Sequence, residues 1–345
     1  MTSGLAAVLY EIGKPLVVES LTVPDLARGQ VLVRVVASGF CHKQLEEMSG
    51  KRGKDPYLPH MLGHEGSGIV EEIGPEVSKV SIGDHVVLSW IKGSGIESET
   101  PTFYNCRVPV NAGWVTTFNE YCVASENRVT PIRKDMPLDR AALLGCAVPT
   151  GAGAIMNQAS IGPRSSIAIF GAGGIGLCAV QAAAYMGARM IIAVDILDRK
   201  LVMSKKFGAT HTVNASNVDV LSIINDLTGG VGANVTFEST GRIEAMNNAY
   251  AAASKFHGLT IIAGVNPVGT TMAVDPNRLH FGLKLIGTSG GSSDPDVDIP
   301  TWADLYMNGD WKLDELITHR FTLGEINEAA GTVQRGDVGR AVIEL

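Results

Sequence analysis

The chain has 345 residues, 45% of them hydrophobic and 18% charged, which fits a compact globular protein long enough for two domains. A formal net charge of −7 offers no footing on nucleic acid or an anionic membrane. No apolar run reaches the roughly 18 residues of a spanning helix. The opening stretch lacks the basic start and long apolar core of a signal peptide, so a cytoplasmic protein is expected.

The first third reads as short strands. "AAVLY", "LVVESLTV", "QVLVRVVASG" and "GSGIVEEIG" are rich in Val, Ile and Leu and are punctuated by Gly and Pro. Helical periodicity begins at "DRAALLGCAVPTGAGAIM". The pattern then alternates. "SSIAIFGAGGIGLCAVQAAAYMGA" is a strand, a Gly-rich turn and an Ala-rich helix, and "RMIIAVDI" is a second strand. "DRKLVMSKKFGA" is a helix ending at Gly208, "THTVNAS" a strand, "VDVLSIINDLTGG" a helix and "ANVTFEST" a strand. "IEAMNNAYAAASKF" is a helix, and "LTIIAG" and "LKLIGTS" are two more strands. Alternation of this kind implies a parallel, doubly wound α/β sheet. The tail carries two helical patterns and a closing strand.

Gly171, Gly173 and Gly176 stand in G-x-G-x-x-G spacing, with Gly174 between them. The spacing alone is weak, but a strand precedes it, a helix follows, and Asp195 ends the next strand about 20 residues on. Gly171 permits the tight turn, Gly173 lets the backbone approach a pyrophosphate, and Gly176 lets helix and strand pack closely. The helix N-terminus offers free N–H groups to the phosphates. Asp195 would accept from the adenosine ribose hydroxyls and repel a 2′-phosphate, so NAD is expected rather than NADP.

The five cysteines, Cys41, Cys106, Cys122, Cys146 and Cys178, are odd in number and scattered, which suits ligand or core roles better than a disulfide framework. "GFCH" places Cys41 beside His42 at the end of a strand pattern. "MLGHEGSGIV" supplies His64 and Glu65, and "LLGCAVPTGAGA" supplies Cys146. Thiolate, imidazole and carboxylate all suit zinc. Taken singly, a buried cysteine is usually core and a lone histidine usually scaffold.

In this order, "GFCH", "GHEGSGIVEEIGPEVSKVSIGDHVV", "GCAVPTGAGA", "FGAGGIG", "VDILDRK" and "AGVNP" resemble the zinc-dependent alcohol dehydrogenases of the medium-chain dehydrogenase/reductase superfamily. The resemblance implies a GroES-like β-rich catalytic domain over residues 1–148 and 289–345 and a Rossmann NAD-binding domain over 149–288, with the active site in the cleft between them. It implies one catalytic zinc held by Cys41, His64 and Cys146, with Glu65 at the metal and able to enter or leave its shell. His42 matches a pyrophosphate contact, with a surface turn histidine as the alternative. Thr150 and Ile175 match positions beside and behind the nicotinamide, Lys200 a ribose contact and Arg340 a pyrophosphate contact. Trp90 matches a pocket-wall aromatic, though plain core fits it as well, and Val265 borders the same pocket. Relatives pair through Rossmann sheet edges, so a homodimer or homotetramer is expected, with "LKLIGTSGG" as the pairing strand.

Three features depart from the family pattern. Many relatives hold a structural zinc with four closely spaced cysteines, but the matching stretch here contains only Cys106, so no structural zinc is expected. Lys43 stands where relatives place Ser or Thr of a proton relay, and Glu46 where several place the next relay histidine. Lys43 could pass the proton to Glu46 or grip an anionic substrate group; alternatively it turns outward and pairs with Glu46 or Glu47. Gln44 replaces a common Asp that orients the histidine ligand, which predicts a less basic ligand and weaker zinc retention.

The expected activity is reversible NAD-dependent oxidation of a small-molecule alcohol to its carbonyl. Lys43, Glu46 and Glu47 favour a polar substrate such as a polyol, sugar derivative or cyclitol. One rival is a metal-free NAD(P)H quinone or enone reductase of the same superfamily, disfavoured by Asp195 and the Cys41, His64 and Cys146 set. The other is a non-enzymatic nucleotide-binding protein of this fold, which has no need of those three residues.

Overall fold

The structure is a computed structural model and describes every residue except Met1, Arg52, Arg107, Val268 and Asp337. The chain divides into two compact units. Met1–Cys146 and Asp294–Leu345 form the first, and Ala147–Ser293 the second. Residues 147–148 and 289–293 therefore pack with the second unit. Among the described residues no helix is long and apolar enough to cross a membrane.

In the first unit, the strand Gln30–Phe40 is the centre of a seven-stranded sheet among the described residues. It pairs antiparallel with Glu65–Ile73, Tyr121–Ser125 and Arg340–Glu344. The strands His85–Ser89 and Val129–Ile132 continue one side, and Ile317–Thr322 closes the other. Val31, Val33, Val35, Val70, Val86 and Leu88 bury their branched side chains together, which explains the dense Val and Leu of the first third. Ser3–Leu9, Val17–Thr22, Thr102–Asn105, Val108–Asn111 and His60–Met61 close into a small barrel.

In the second unit the parallel sheet runs in the order His211–Asn214, Met190–Asp195, Ser166–Phe170, Val235–Glu238, Leu259–Ile262, Lys284–Gly287. Counted from the first strand of the unit, this is the 3-2-1-4-5-6 order of a dinucleotide-binding fold, whose switch point lies between the first and fourth strands. Ile167, Ala168, Ile169 and Ile192 are fully buried, as the unbroken apolar runs require.

Three local differences from the sequence reading have physical causes. The run from Leu138 to Gln158, where helical periodicity begins, is a chain of short pieces: Leu138–Ala141 is α, Ala142–Gly145 3-10, Pro149–Gly153 π and Ala154–Gln158 α. Cys146 breaks the run with φ −151° and ψ −60°. The polar stretch Ile317–Thr322 is a strand because it pairs with the closing strand Arg340–Glu344. His42–Met48, to which the sequence reading assigns no element, is a two-turn helix with Cys41 at its N-cap.

Candidate active site

Strand register brings the first two ligand candidates together. Ser38 pairs with Gly66, so Cys41 and His64 leave the same end of one antiparallel pair. Gly63 makes the turn before His64 at φ +89°, and a Cβ there would lie 2.5 Å from Thr117 Oγ1 and 2.7 Å from the Phe118 nitrogen. Gly145 admits the third: its Cβ would lie 2.4 Å from the Leu88 carbonyl oxygen and 3.0 Å from the Glu65 Cα. The ligand atoms of Cys41, His64 and Cys146 lie within 4.8 Å of one another.

The electrostatics separate these cysteines from the core ones. A hydrogen bond with Cys146 pulls the Cys41 thiol well below its ordinary value despite burial, and His64 and Arg340 add positive charge. Burial pushes Cys122 and Cys178 up to about 12. His64 Nδ1 lies 2.6 Å from Gln44 Nε2, while His64 Nε2 is buried with no hydrogen-bond partner. Two sulfurs and an orphaned imidazole nitrogen in this small space fit a zinc ion.

Glu65 lies outside that convergent group. Its fully buried carboxylate pairs with Arg340, which is 6% exposed. Burial lowers the Arg340 guanidinium from its ordinary value, and the neighbouring Cys41 opposes the shift. The register Ala341 to Phe40 explains the contact, since it sets Arg340 beside Cys41. Gly39 leaves room for the Glu65 carboxylate: a Cβ there would lie 2.6 Å from Oε1. Ser38 Oγ, 2.6 Å from Thr117 Oγ1, lies 3.1 Å from the Glu65 carbonyl oxygen and fixes the backbone behind the site.

On the helix His42–Met48, Lys43 Nζ meets Glu47 Oε1 at 2.5 Å, an i,i+4 pair, and Glu46 is half-buried. His42 is exposed. Trp90 is half-buried and its carbonyl accepts from Arg128 Nη1 at 2.5 Å. In the stretch that holds the exposed Cys106, side-chain contacts fasten the chain. Glu126 accepts from the backbone nitrogens of Ser78, Lys79 and Ile96. Glu97 pairs with Lys92 and Arg128, and Arg128 lies 4.9 Å from the Trp114 ring centre.

In the second unit each fingerprint glycine has a distinct steric task. Gly171 has φ +97°, and a Cβ would meet Thr240 at 2.7 Å. A Cβ on Gly176 would lie 1.7 Å from the Gly171 carbonyl oxygen, whereas one on Gly173 would meet nothing within 4 Å. Gly173 is the N-cap of the helix Gly174–Tyr185 and has no side chain to satisfy its first N–H groups, which leaves them for an anion. Asp195 accepts from the Ala172 nitrogen at 2.8 Å and the Leu197 nitrogen at 3.0 Å, which ties it to the loop. Ile175 is half-buried in the first helical turn and Lys200 half-buried on Asp198–Lys206. Thr150 lies in the π turn Pro149–Gly153 with Oγ1 buried and without a hydrogen-bond partner. Val265 is exposed.

Sequence reasoning passed over Glu238, whose signal is a carboxylate at the end of a buried parallel strand. It accepts from the Thr240 nitrogen at 2.6 Å and the Gly241 nitrogen at 3.0 Å, and so shapes the loop packed on Gly171. Burial raises its carboxyl above the usual range.

The thiol–imidazole cluster has the donor set of a zinc site, and the parallel sheet with its Gly-rich loop has the strand order of a dinucleotide-binding fold. Residues 27–134 match the alcohol dehydrogenase GroES-like domain family and residues 174–306 the zinc-binding dehydrogenase family. The S-(hydroxymethyl)glutathione dehydrogenase of Aspergillus oryzae is 34% identical over 99% of this chain and 95% of its own length. Among solved structures, benzyl alcohol dehydrogenase from Acinetobacter calcoaceticus is 34% identical with a TM-score of 0.92, covering 100% of both chains. An alcohol dehydrogenase zinc-binding domain protein from Burkholderia ambifaria is 32% identical with a TM-score of 0.93, covering 100% of this chain and 99% of its own. The chain belongs to the zinc-dependent alcohol dehydrogenase family of the medium-chain dehydrogenase/reductase superfamily. Its GroES-like and nucleotide-binding units are those the resemblance implied.

Proposed function

We propose that this protein catalyses reversible hydride transfer between NAD(H) and a small alcohol or its carbonyl product at one catalytic zinc. The observation that carries this reading is the convergence of Cys41, His64 and Cys146 within 4.8 Å, with the Cys41 thiol already biased to the ligating thiolate. A zinc ion held there supplies Lewis acidity to an alcohol oxygen, and NAD supplies the hydride acceptor.

The chain's own residues do the remaining work. The free N–H groups at Gly174 take the pyrophosphate, with His42 as a further phosphate contact and Lys200 at the ribose. Asp195 accepts from the ribose hydroxyls and disfavours a 2′-phosphate. Thr150, Ile175 and Val265 orient the nicotinamide. Arg340 is a further pyrophosphate contact, and its pairing with Glu65 holds the Glu65 carboxylate in place. Lys43 and Glu46 form the outward route for the alcohol proton. Use of that route breaks the half-buried Lys43–Glu47 pair, a contact worth about 0.3–0.5 kcal/mol on a helix and hence a small barrier. The edge strand Lys284–Gly287 offers unpaired backbone groups for a second copy, giving a homodimer or homotetramer.

The proposed substrate is a polar alcohol, since Lys43, Glu46 and Glu47 follow Cys41 directly. An aromatic alcohol is the second reading, favoured by the likeness to benzyl alcohol dehydrogenase. A panel of polyols, sugar alcohols, cyclitols and benzyl alcohols, assayed with NAD and with NADP, separates them. Higher kcat/KM on polyols with NAD supports the first reading and higher values on benzyl alcohols select the second. No turnover of any alcohol by zinc-loaded protein overturns both.

A further inference from the structure

Glu238 is fully buried at the end of the strand Val235–Glu238. Its Oε1 accepts from the Thr240 nitrogen at 2.6 Å, the Thr240 hydroxyl at 2.5 Å and the Gly241 nitrogen at 3.0 Å. Its Oε2 is buried with no hydrogen-bond partner, and a Cβ on Gly264 would lie 2.4 Å from it. Three donors on one oxygen, with no acceptor bonded to the other, suit the ionised carboxylate. Burial raises this carboxyl, and the Thr240 and Gly241 donors oppose the shift. Among the described residues no lysine or arginine pairs with it. Buried charges are as a rule paired with an opposite charge, and this one has hydrogen bonds but no counter-charge from the chain.

The sheet shows where a counter-charge would come from. Phe170, the last residue before the Gly171 turn, pairs with Val194 on one side and with Glu238 on the other. Asp195 and Glu238 therefore end the two strands that neighbour Ser166–Phe170. In this strand order one mononucleotide lies over each half of the sheet. With the adenosine ribose at Asp195, the nicotinamide half falls on the side of Glu238. The loops there are fastened around this carboxylate. The Ala263 nitrogen donates to the Glu238 carbonyl at 2.8 Å, and Asn266 Nδ2 donates to the Gly241 carbonyl at 2.6 Å. The nicotinamide ring of NAD+ is a cation and becomes neutral when it accepts hydride. We infer that Glu238 is a specificity-determining residue for the redox state of the cofactor: its buried negative charge strengthens binding of NAD+ relative to NADH. This rests on reading the second unit as an NAD site. NADH carries one more net negative charge than NAD+, so the sign of the effect is the same wherever in the site the charge acts.

The test uses full-length protein and two dissociation constants, for NAD+ by titration calorimetry and for NADH by its fluorescence. Glu238→Gln keeps the shape of the side chain and an oxygen for the Thr240 and Gly241 donors, but removes the charge. The expected result is NAD+ bound about ten-fold more weakly and NADH changed by less than about three-fold, the scale of a Coulomb interaction across a protein interior. Glu238→Asp retains the charge with a shorter reach, so the two affinities should fall together and their ratio should stay that of the wild type. A Glu238→Gln protein that binds both forms as the wild type does, or loses both equally, overturns the inference, since the carboxylate then only braces the loops. A wild type that binds neither dinucleotide overturns the NAD reading and the inference with it. If Glu238→Gln does not fold, Glu238→Met, which has neither charge nor amide to bury, is taken through the same titrations and judged by the same ratio.

Discussion

Arg340→Met removes one half of a buried ion pair and leaves the Glu65 carboxylate, which is 0% exposed, without its counter-charge. Breaking a buried pair in this way costs about 3–5 kcal/mol, because the remaining charge has no solvent to turn to. For a unit of this size each kcal/mol moves the melting temperature by about 2–4 °C, so a fall of roughly 6–20 °C is expected. Trp90, Trp114, Trp302 and Trp311 all lie in the first unit, so thermal unfolding followed by tryptophan fluorescence reports on that unit alone. The companion variant is Arg340→Met with Glu65→Met, which replaces both charges by apolar groups. Such replacements are often neutral or stabilising, so most of the loss should be recovered. A drop below about 3 °C in the single variant, or a double variant that falls by the sum of the two single losses, refutes the buried-pair reasoning.

The fingerprint glycines should separate fold from binding. Gly176→Ala drives a Cβ to 1.7 Å from a backbone oxygen and should destabilise the second unit, as read by hydrogen exchange. Gly173→Ala meets nothing within 4 Å, so its stability should be kept while NAD affinity in titration calorimetry falls on the order of ten-fold. Asp195→Ala should lower the ratio of kcat/KM for NAD over NADP by about ten-fold or more. Lys92, then Arg128, holds the Glu97 carboxyl down at about 2. A depressed carboxyl stabilises above its unfolded value and loses that contribution as pH falls through its folded one. The stability gap between wild type and Glu97→Gln should therefore be full above about pH 4.5 and close toward pH 2 in urea titrations.

How much was legible in advance follows from how local each task is. The glycine fingerprint could be read from spacing because Gly171 and Gly176 act on each other across one turn. The metal candidates could not. Cys41 and His64 meet through the register of two strands, and Cys146 arrives through a turn packed on Leu88, so only the family resemblance joined them. Arg340 shows the same limit from the other side. Its neighbours are set by the pairing of the last strand with Gln30–Phe40, and no local pattern announces a partner at Glu65. Helical periodicity does begin at Asp139, but the break at Cys146, with its non-helical backbone, is not revealed by a propensity pattern built on Ala and Leu. Gln44 was visible as a missing charge, but its contact with His64 Nδ1 needed the distance.

Elemental analysis of freshly purified protein decides whether Cys41, His64 and Cys146 hold a single catalytic zinc. About one zinc per chain in the wild type, lost from Cys41→Ser and from Cys146→Ser, is the predicted result. A wild type without zinc, or variants that keep their full metal content, would contradict it.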